Sequence, residues 1–355
     1  MDYGRAPERE RAVVLVDTKS PAFDGYGLRD LNGHRKKVQS VAWNCTGQRL
    51  ASGGADRAIR VWTLEPVCGA DRAIRVWTLE PHCGVLKSER SDAEYPSHSD
   101  NVSYIEWRPD DANVLASCSN SKTDTNIRFH DARTNKQTAA VPLSNEKNQV
   151  LSWSLDGVSL VVATSSGELV FVDTRKMRRQ RVWGVPGHTK LSEVRWGPTQ
   201  AHLTLALDDG SVRIAPLAKL DAPLWRLNSH ASHTTCLAYS RDFRYLASGG
   251  SDALVSLWDM TDMVALRTYS RPDQSVRTLG FSADGNWLAY CSEDGLGTID
   301  VVSVQSGELG ASLSLKSYCE TVAWCPAANV LAFAGDESKE GYGAVTVWAP
   351  PKPSS

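Results

Sequence analysis

Residues 34 to 62 read HRKKVQSVAWNCTGQRLASGGADRAIRVW, and residues 230 to 259 read HASHTTCLAYSRDFRYLASGGSDALVSLWD. Laid over one another, the two stretches share a His, a short strand ending in an aromatic, a second strand LASGG, a tight Asp-bearing turn and a third strand ending in Trp. His34, Ser52, Asp56 and Trp62 stand at the same spacings as His230, Ser248, Asp252 and Trp258. The aromatic that ends the first strand recurs as Trp43, Trp107, Trp153, Trp196, Tyr239, Phe281 and Trp324, in steps of 64, 46, 43, 43, 42 and 43 residues. Apolar alternation of period two between turn signals reads as short antiparallel strands, and no stretch holds the helical period long enough for a substantial helix.

This period, with Gly-His or Ser-His before the first strand and Trp-Asp closing the third, is the WD-repeat signature. Seven copies predict an all-β, seven-bladed β-propeller spanning residues 26 to 349, with a flexible N-terminal tail over 1 to 25 and a short C-terminal tail over 350 to 355. Of the 12 tryptophans, Trp43, Trp107, Trp153, Trp196 and Trp324 fall in the first-strand slot, and Trp62, Trp77, Trp258 and Trp348 in the third. Recurrence in register assigns them to packing between blades. After Trp348 only APPKPSS remains, too little for an outer strand, so residues near Tyr26 to Leu31 are expected to complete the last blade and close the ring.

The recurring His, Ser and Asp do not read as a catalytic triad, because the set repeats with a Trp in series and a nucleophile needs a cleft. Blade two keeps His98 and Asp124 but sets His130 before Asp131 where Trp is expected, and blades three, four and six lose most of the set. The long first step has a visible source. GADRAIRVWTLEPVC over 54 to 68 is followed at once by GADRAIRVWTLEPHC over 69 to 83, a tandem 15-residue duplication differing only at Val67 and His82. Either copy could fill the third-strand slot of blade one, and the first is expected there because it keeps the tight turn after Ser52. The second is expected to bulge, with Ile74, Val76 and Trp77 partly exposed, or to pair as a fourth strand.

Composition excludes several function classes. Lys and Arg number 39 against 41 Asp and Glu, a net charge of −2, so no whole-protein positive field exists to hold nucleic acid or an anionic membrane. Eight cysteines without a CxxC pair are expected as reduced thiols. A charged N-terminus without an apolar run predicts neither signal peptide nor membrane span. No nucleotide-binding loop, HExxH, GxSxG or zinc-spaced set stands outside the repeat positions, so no catalytic, cofactor or metal residues are expected.

The residues also resemble one family. SDALVSLWDMTDMVALRTYSRPDQSVRTLGFSADGNWLAYCSEDG over 251 to 295, supported by 34 to 56 and 320 to 348, is similar to the THO complex subunit 3 family. These are WD-repeat members of the THO/TREX assembly that couples transcription to messenger RNA packaging and export. The resemblance implies a non-catalytic nuclear scaffold bound to elongated helical subunits, with messenger ribonucleoprotein an indirect partner and neither membrane nor small-molecule substrate. The alternative is a WD-repeat adaptor of another nuclear complex, chromatin-associated or a ubiquitin-ligase substrate receptor. The duplicated segment, the longer turn SNSKTDTN over 119 to 126 and a basic run after blade three depart from the family pattern.

Two surfaces are candidates for binding. Arg35, Lys36 and Lys37 in blade one, with Arg271, Asp273 and Gln274 in blade six, lie in loops that share a face with the Asp-bearing turns and could contact a partner. The alternative is a solvated charged rim. The run RKMRRQR supplies Arg175, Lys176, Arg178, Arg179 and Arg181, predicted on the opposite face between third and outer strands. It could serve as a nuclear-localisation or RNA patch, or stand as a solvated loop.

Overall fold

A computed structural model describes residues 13–66, 74–76, 93–96, 98–143, 146–185, 190–220, 222, 225–293, 297–316, 319–335 and 343–350. Seven antiparallel sheets form the blades of an all-β propeller. Their first strands, Val38–Trp43, Tyr104–Trp107, Asn148–Trp153, Leu191–Trp196, Thr234–Tyr239, Val276–Phe281 and Cys319–Trp324, stand around a central channel. Burial follows the layers within each blade. The second strand of blade three, Ser159–Thr164, is buried at every residue but its first, while the outer strand Arg178–Gly184 is exposed almost throughout. A strand covered on both faces reads as a continuous apolar run, and an edge strand does not.

The LASGG motif has a steric origin. A Cβ on Gly53 would lie 2.6 Å from Val102 of the next blade, and one on Gly54 would lie 2.7 Å from the His34 ring. Gly249 and Gly250 face Val276 and His230 in the same way. One glycine therefore admits the neighbouring blade and the other admits the histidine.

The ring closes as expected, one residue later than read. β1 (Val13–Thr18) comes first, then a single 3-10 turn over Pro21–Phe23, then β2 (Gly27–Asn32). β2 runs antiparallel to Ala344–Ala349, from Gly27 opposite Ala349 to Asn32 opposite Ala344, and so supplies the outer strand of blade seven. Its Leu31 is 1% exposed and packs with Val38, Trp62, Val345 and Val347. Full burial of such a side chain contributes about 1.5–3 kcal/mol.

β1 was not legible as part of the body. It pairs with Leu309–Leu315 and gives blade six a fifth strand, so the described part of the expected tail lies against the propeller. The link between β1 and β2 is pinned by Phe23, whose ring lies 4.7 Å from Trp287 and 4.9 Å from Trp348. A Cβ on Gly310 would collide with Trp287 and Phe23, which fixes glycine there.

In blade one the third strand, Ala58–Pro66, is the first copy of the duplicated segment, in register with Arg49–Gly54. The outer partner of its first half is Ala93–Pro96. From the second copy, Ile74–Val76 pairs with Leu64, Glu65 and Pro66 at the far end of the same strand, and Trp77 lies outside the described residues. Extra loop length is entropically inexpensive, about 0.6 kcal/mol per doubling.

Truncation separates these contributions. Removing residues 1–19 takes away the edge strand β1 and is expected to lower the melting temperature by a few degrees. Removing residues 1–32 also takes Phe23, Leu31 and the closing strand, and is expected to lower it by roughly 10 °C or more, or to abolish a cooperative transition. Deleting residues 69–83 is expected to leave a cooperative melt close to that of the full chain. Calorimetry of the three variants checks this order.

Candidate interaction faces

The face that carries the candidate residues is built on hydrogen-bond chains. In blade one the Trp62 indole donates to Ser52 Oγ at 3.1 Å, Ser52 reaches His34 Nε2 at 2.8 Å, and His34 Nδ1 donates to Asp56 Oδ1 at 2.9 Å. The second Asp56 oxygen accepts the Arg35 amide at 2.9 Å, tying the inter-blade loop to the turn. Blade five repeats the links from Ser248 through His230 to Asp252 and the Ala231 amide. There the Trp258 indole nitrogen finds no acceptor among the described residues. In blade two His130 stands in for the tryptophan, its Nε2 lying 3.3 Å from Ser117 Oγ, and Ser117 continues to His98 and Asp124.

Electrostatics follow from this burial. Desolvation would raise the Asp56 and Asp124 carboxyls, but the bonds from His34 and His98, the loop amides and nearby Arg60 and Arg128 outweigh it and hold both well below the usual range. Burial pushes His98 and His230 down against the pull of their aspartates. His130 is pushed down to about 3 by burial, with His98 and Arg128 adding to the effect. These imidazoles therefore stay neutral, and their Ser and Asp partners are spent on holding loops. The arrangement holds the inter-blade loops and turns together.

Adjacent blades are joined by a second device. Trp43 donates its indole N–H to the Ala323 carbonyl, Trp107 to Ala42, Trp153 to Glu106 and Trp196 to Ser152, at 2.9–3.3 Å. Each acceptor immediately precedes the aromatic of the blade before, so the tryptophans stitch consecutive first strands. Tyr239 replaces the device with a hydroxyl contact to Thr204 at 2.6 Å.

The channel, about 860 Å³, has a mouth the sequence reading did not foresee. The first strand shifts register at its second residue in six blades. A bulge re-aims its residue, and the residues concerned, Gln39, Gln149, Ser192, Thr235, Arg277 and Glu320, all line the channel, as does Ser103 at the equivalent place in blade two. The signal was present: the position four before each repeating aromatic is polar in all seven copies. Also lining the channel, Arg195 lies 2.8 Å from Glu193, 2.9 Å from the Tyr104 hydroxyl and 3.5 Å from Glu106. Burial pushes Glu106 up to about 7, against Arg195 and the Trp153 amide. This cluster braces blade two against blade four across the blade between them.

The six candidate residues share the expected face but divide in role. Arg35 and Lys36 are exposed beside the blade-one turn. Lys37 reaches Glu320 at 3.0 Å, and Glu320 also takes Arg277 at 2.8 Å, which holds Glu293 at 2.9 Å, an ion chain across blades one, seven and six. Arg271 holds Asp300 at 3.0 Å, whose other oxygen accepts from Ser312, so it anchors the loop of a blade without the histidine chain. Asp273 and Gln274 are exposed. The basic run is divided in a way the sequence reading did not expect. Arg175 and Lys176 occupy the turn on the opposite face, but Arg178, Arg179 and Arg181 belong to the outer strand, on the rim. A bulge between Phe171 and Val172 sends Arg179 to the Leu143 carbonyl on one side and Arg181 to Leu217 on the other.

Comparison with known proteins agrees with this architecture. The family model for the WD domain, G-beta repeat, matches residues 25–63, 221–259 and 263–296. The chain is 33% identical over 333 residues to THO complex subunit 3 of Arabidopsis thaliana, covering 92% of this chain and 95% of that protein. It is 32% identical over 273 residues to WD repeat-containing protein AAC3 of Dictyostelium discoideum, covering 76% of this chain and 56% of that one. Identity to the intraflagellar transport protein 122 homolog of Mus musculus is 25% over 286 residues, 80% of this chain and 21% of the relative.

The neutral histidines give the framework a pH signature. Groups with depressed folded pKa values bind protons more readily when unfolded, so the contribution of these histidines is full above about pH 6.5 and falls as pH drops toward the folded values. Replacing His130→Trp, the residue the other blades use, is expected to remove a share on the order of 2–3 kcal/mol from the loss between pH 7 and pH 4. Thermal melts of both proteins across that range check it, and parallel curves would contradict it.

Proposed function

The chain belongs to the THO complex subunit 3 family, and from that premise we propose that it is a non-catalytic scaffold of a THO/TREX assembly in the nucleus. It would couple transcription to messenger RNA packaging and export through protein contacts with the elongated helical subunits. The observation that carries this reading is the extent of the similarity, which runs through nearly the whole of both chains. A relationship confined to repeat motifs would support only the fold.

The site chemistry is in keeping with it. The histidines, serines and aspartates that could suggest hydrolysis are engaged in holding loops. What the face presents outward is a rigid set of polar loop residues, a surface suited to recognition. Arg35, Lys36, Asp273 and Gln274 are its exposed contacts for a partner subunit, with Lys37 and Arg271 positioning their loops.

Affinity purification of the tagged protein from nuclear extract after nuclease treatment, with mass spectrometry of what stays bound, tests the reading. Retention of the other THO subunits is expected. Recovery of histone-modifying or ubiquitin-ligase subunits without THO would contradict it.

A further inference from the structure

Among the described residues, six large apolar side chains are exposed: Leu15, Met177, Val182, Trp225, Val264 and Leu266. Single exposed apolar residues are ordinary, but these six are not scattered. Val182 lies on the outer strand of blade three and Met177 in the turn just before it, Trp225 on that of blade four, Val264 and Leu266 on that of blade five, and Leu15 on β1, the outermost strand of blade six. They therefore fall on one arc of four consecutive blades, while the outer strands of blades two and seven expose none.

Blade five is the most telling. A bulge in its outer pairing leaves Val264, Ala265 and Leu266 exposed in succession. Three consecutive apolar residues in water, on an edge strand with unpaired backbone groups, mark an aggregation liability or an interface. Basic residues predominate beside them, although Arg226 is paired with Asp209 at 3.2 Å and β1 carries Asp17. The outer strands RRQRVWG, WRLN and VALRTY of blades three to five hold five arginines and no carboxylate, in a chain whose net charge is −2.

We propose that this rim arc is a docking surface for an acidic amphipathic protein segment, lying across the outer strands of blades three to six. The apolar side chains supply the buried contact, and the arginines select acidic flanks and steer the approach. Single-stranded RNA fits less well, because Val, Leu and Met offer no stacking platform and Trp225 is the one aromatic among the exposed six. The proposal goes beyond the scaffold reading by naming a second surface, separate from the face that carries Arg35 and Lys36.

Fluorescence anisotropy on the full chain tests it, with a labelled amphipathic peptide of leucine and glutamate heptads as the probe. The same peptide with lysine for glutamate and a single-stranded RNA serve as comparisons. The acidic peptide is expected to bind at least about tenfold more tightly than the lysine version. Val182→Asp/Leu266→Asp and, separately, Arg178→Glu are expected to weaken it about tenfold while melting like the parent, and Arg35→Glu/Lys36→Glu to leave it unchanged. Equal binding of both peptides, binding insensitive to the rim changes, or RNA binding that the rim changes abolish would overturn the proposal. Since the peptide assay uses no THO subunit, its failure is distinguishable from failure of the scaffold reading.

Discussion

Everything else in this propeller depends on the closing of its ring by β2. Without β2, blade seven would end on Ala344–Ala349, a strand buried at its four central residues, and that strand would be left uncovered. Here the strand that completes blade seven comes from the opposite end of the chain, so the first and last parts of the sequence hold one another. Phe23 wedges between Trp287 and Trp348 just before that strand, and β1 extends the grip to blade six. Closure by non-local pairing carries a large loop-entropy cost during folding, and the apolar packing around Leu31 and Phe23 offsets it.

A closed ring lets each blade vary in how it holds its loops. Blades one, two and five use the histidine chain, with His130 acting for tryptophan in blade two. Blade six lacks the histidine and uses Arg271 on Asp300. Between blades, four indole bonds and the Tyr239 hydroxyl do the joining. Redundancy of this kind explains how repeats with weak signatures still pack as full blades. No single net hydrogen bond, worth about 1 kcal/mol, decides the fold.

The blade count, the tryptophan slots other than that expected for Trp77, the closing strand and the copy filling blade one were legible, because register is fixed by a period-two pattern and a recurring anchor. β1 was not, although VVLVDT over 13 to 18 is a β-branched run. It lies outside the repeat, and no anchor gave it a place. The channel mouth was missed for a different reason: polarity four residues before each aromatic reads as ordinary alternation unless the bulge is known. The basic run was misplaced by a few residues because the strand boundary falls inside it, at Arg178. Which arginines point to which side depends on a bulge that composition does not encode.

In this account the buried chemistry of the ring is spent on shape, and the proposal is that its exposed loops and rim meet other proteins. Amide hydrogen exchange of the full chain, alone and reconstituted with the purified helical THO subunits, tests that most directly. The account predicts slowed exchange in the loops at residues 33–37 and 270–275 and in the outer strands of blades three to five, with the second strands protected equally in both samples. Unchanged exchange at those loops and outer strands, or a change confined to the channel, would contradict it.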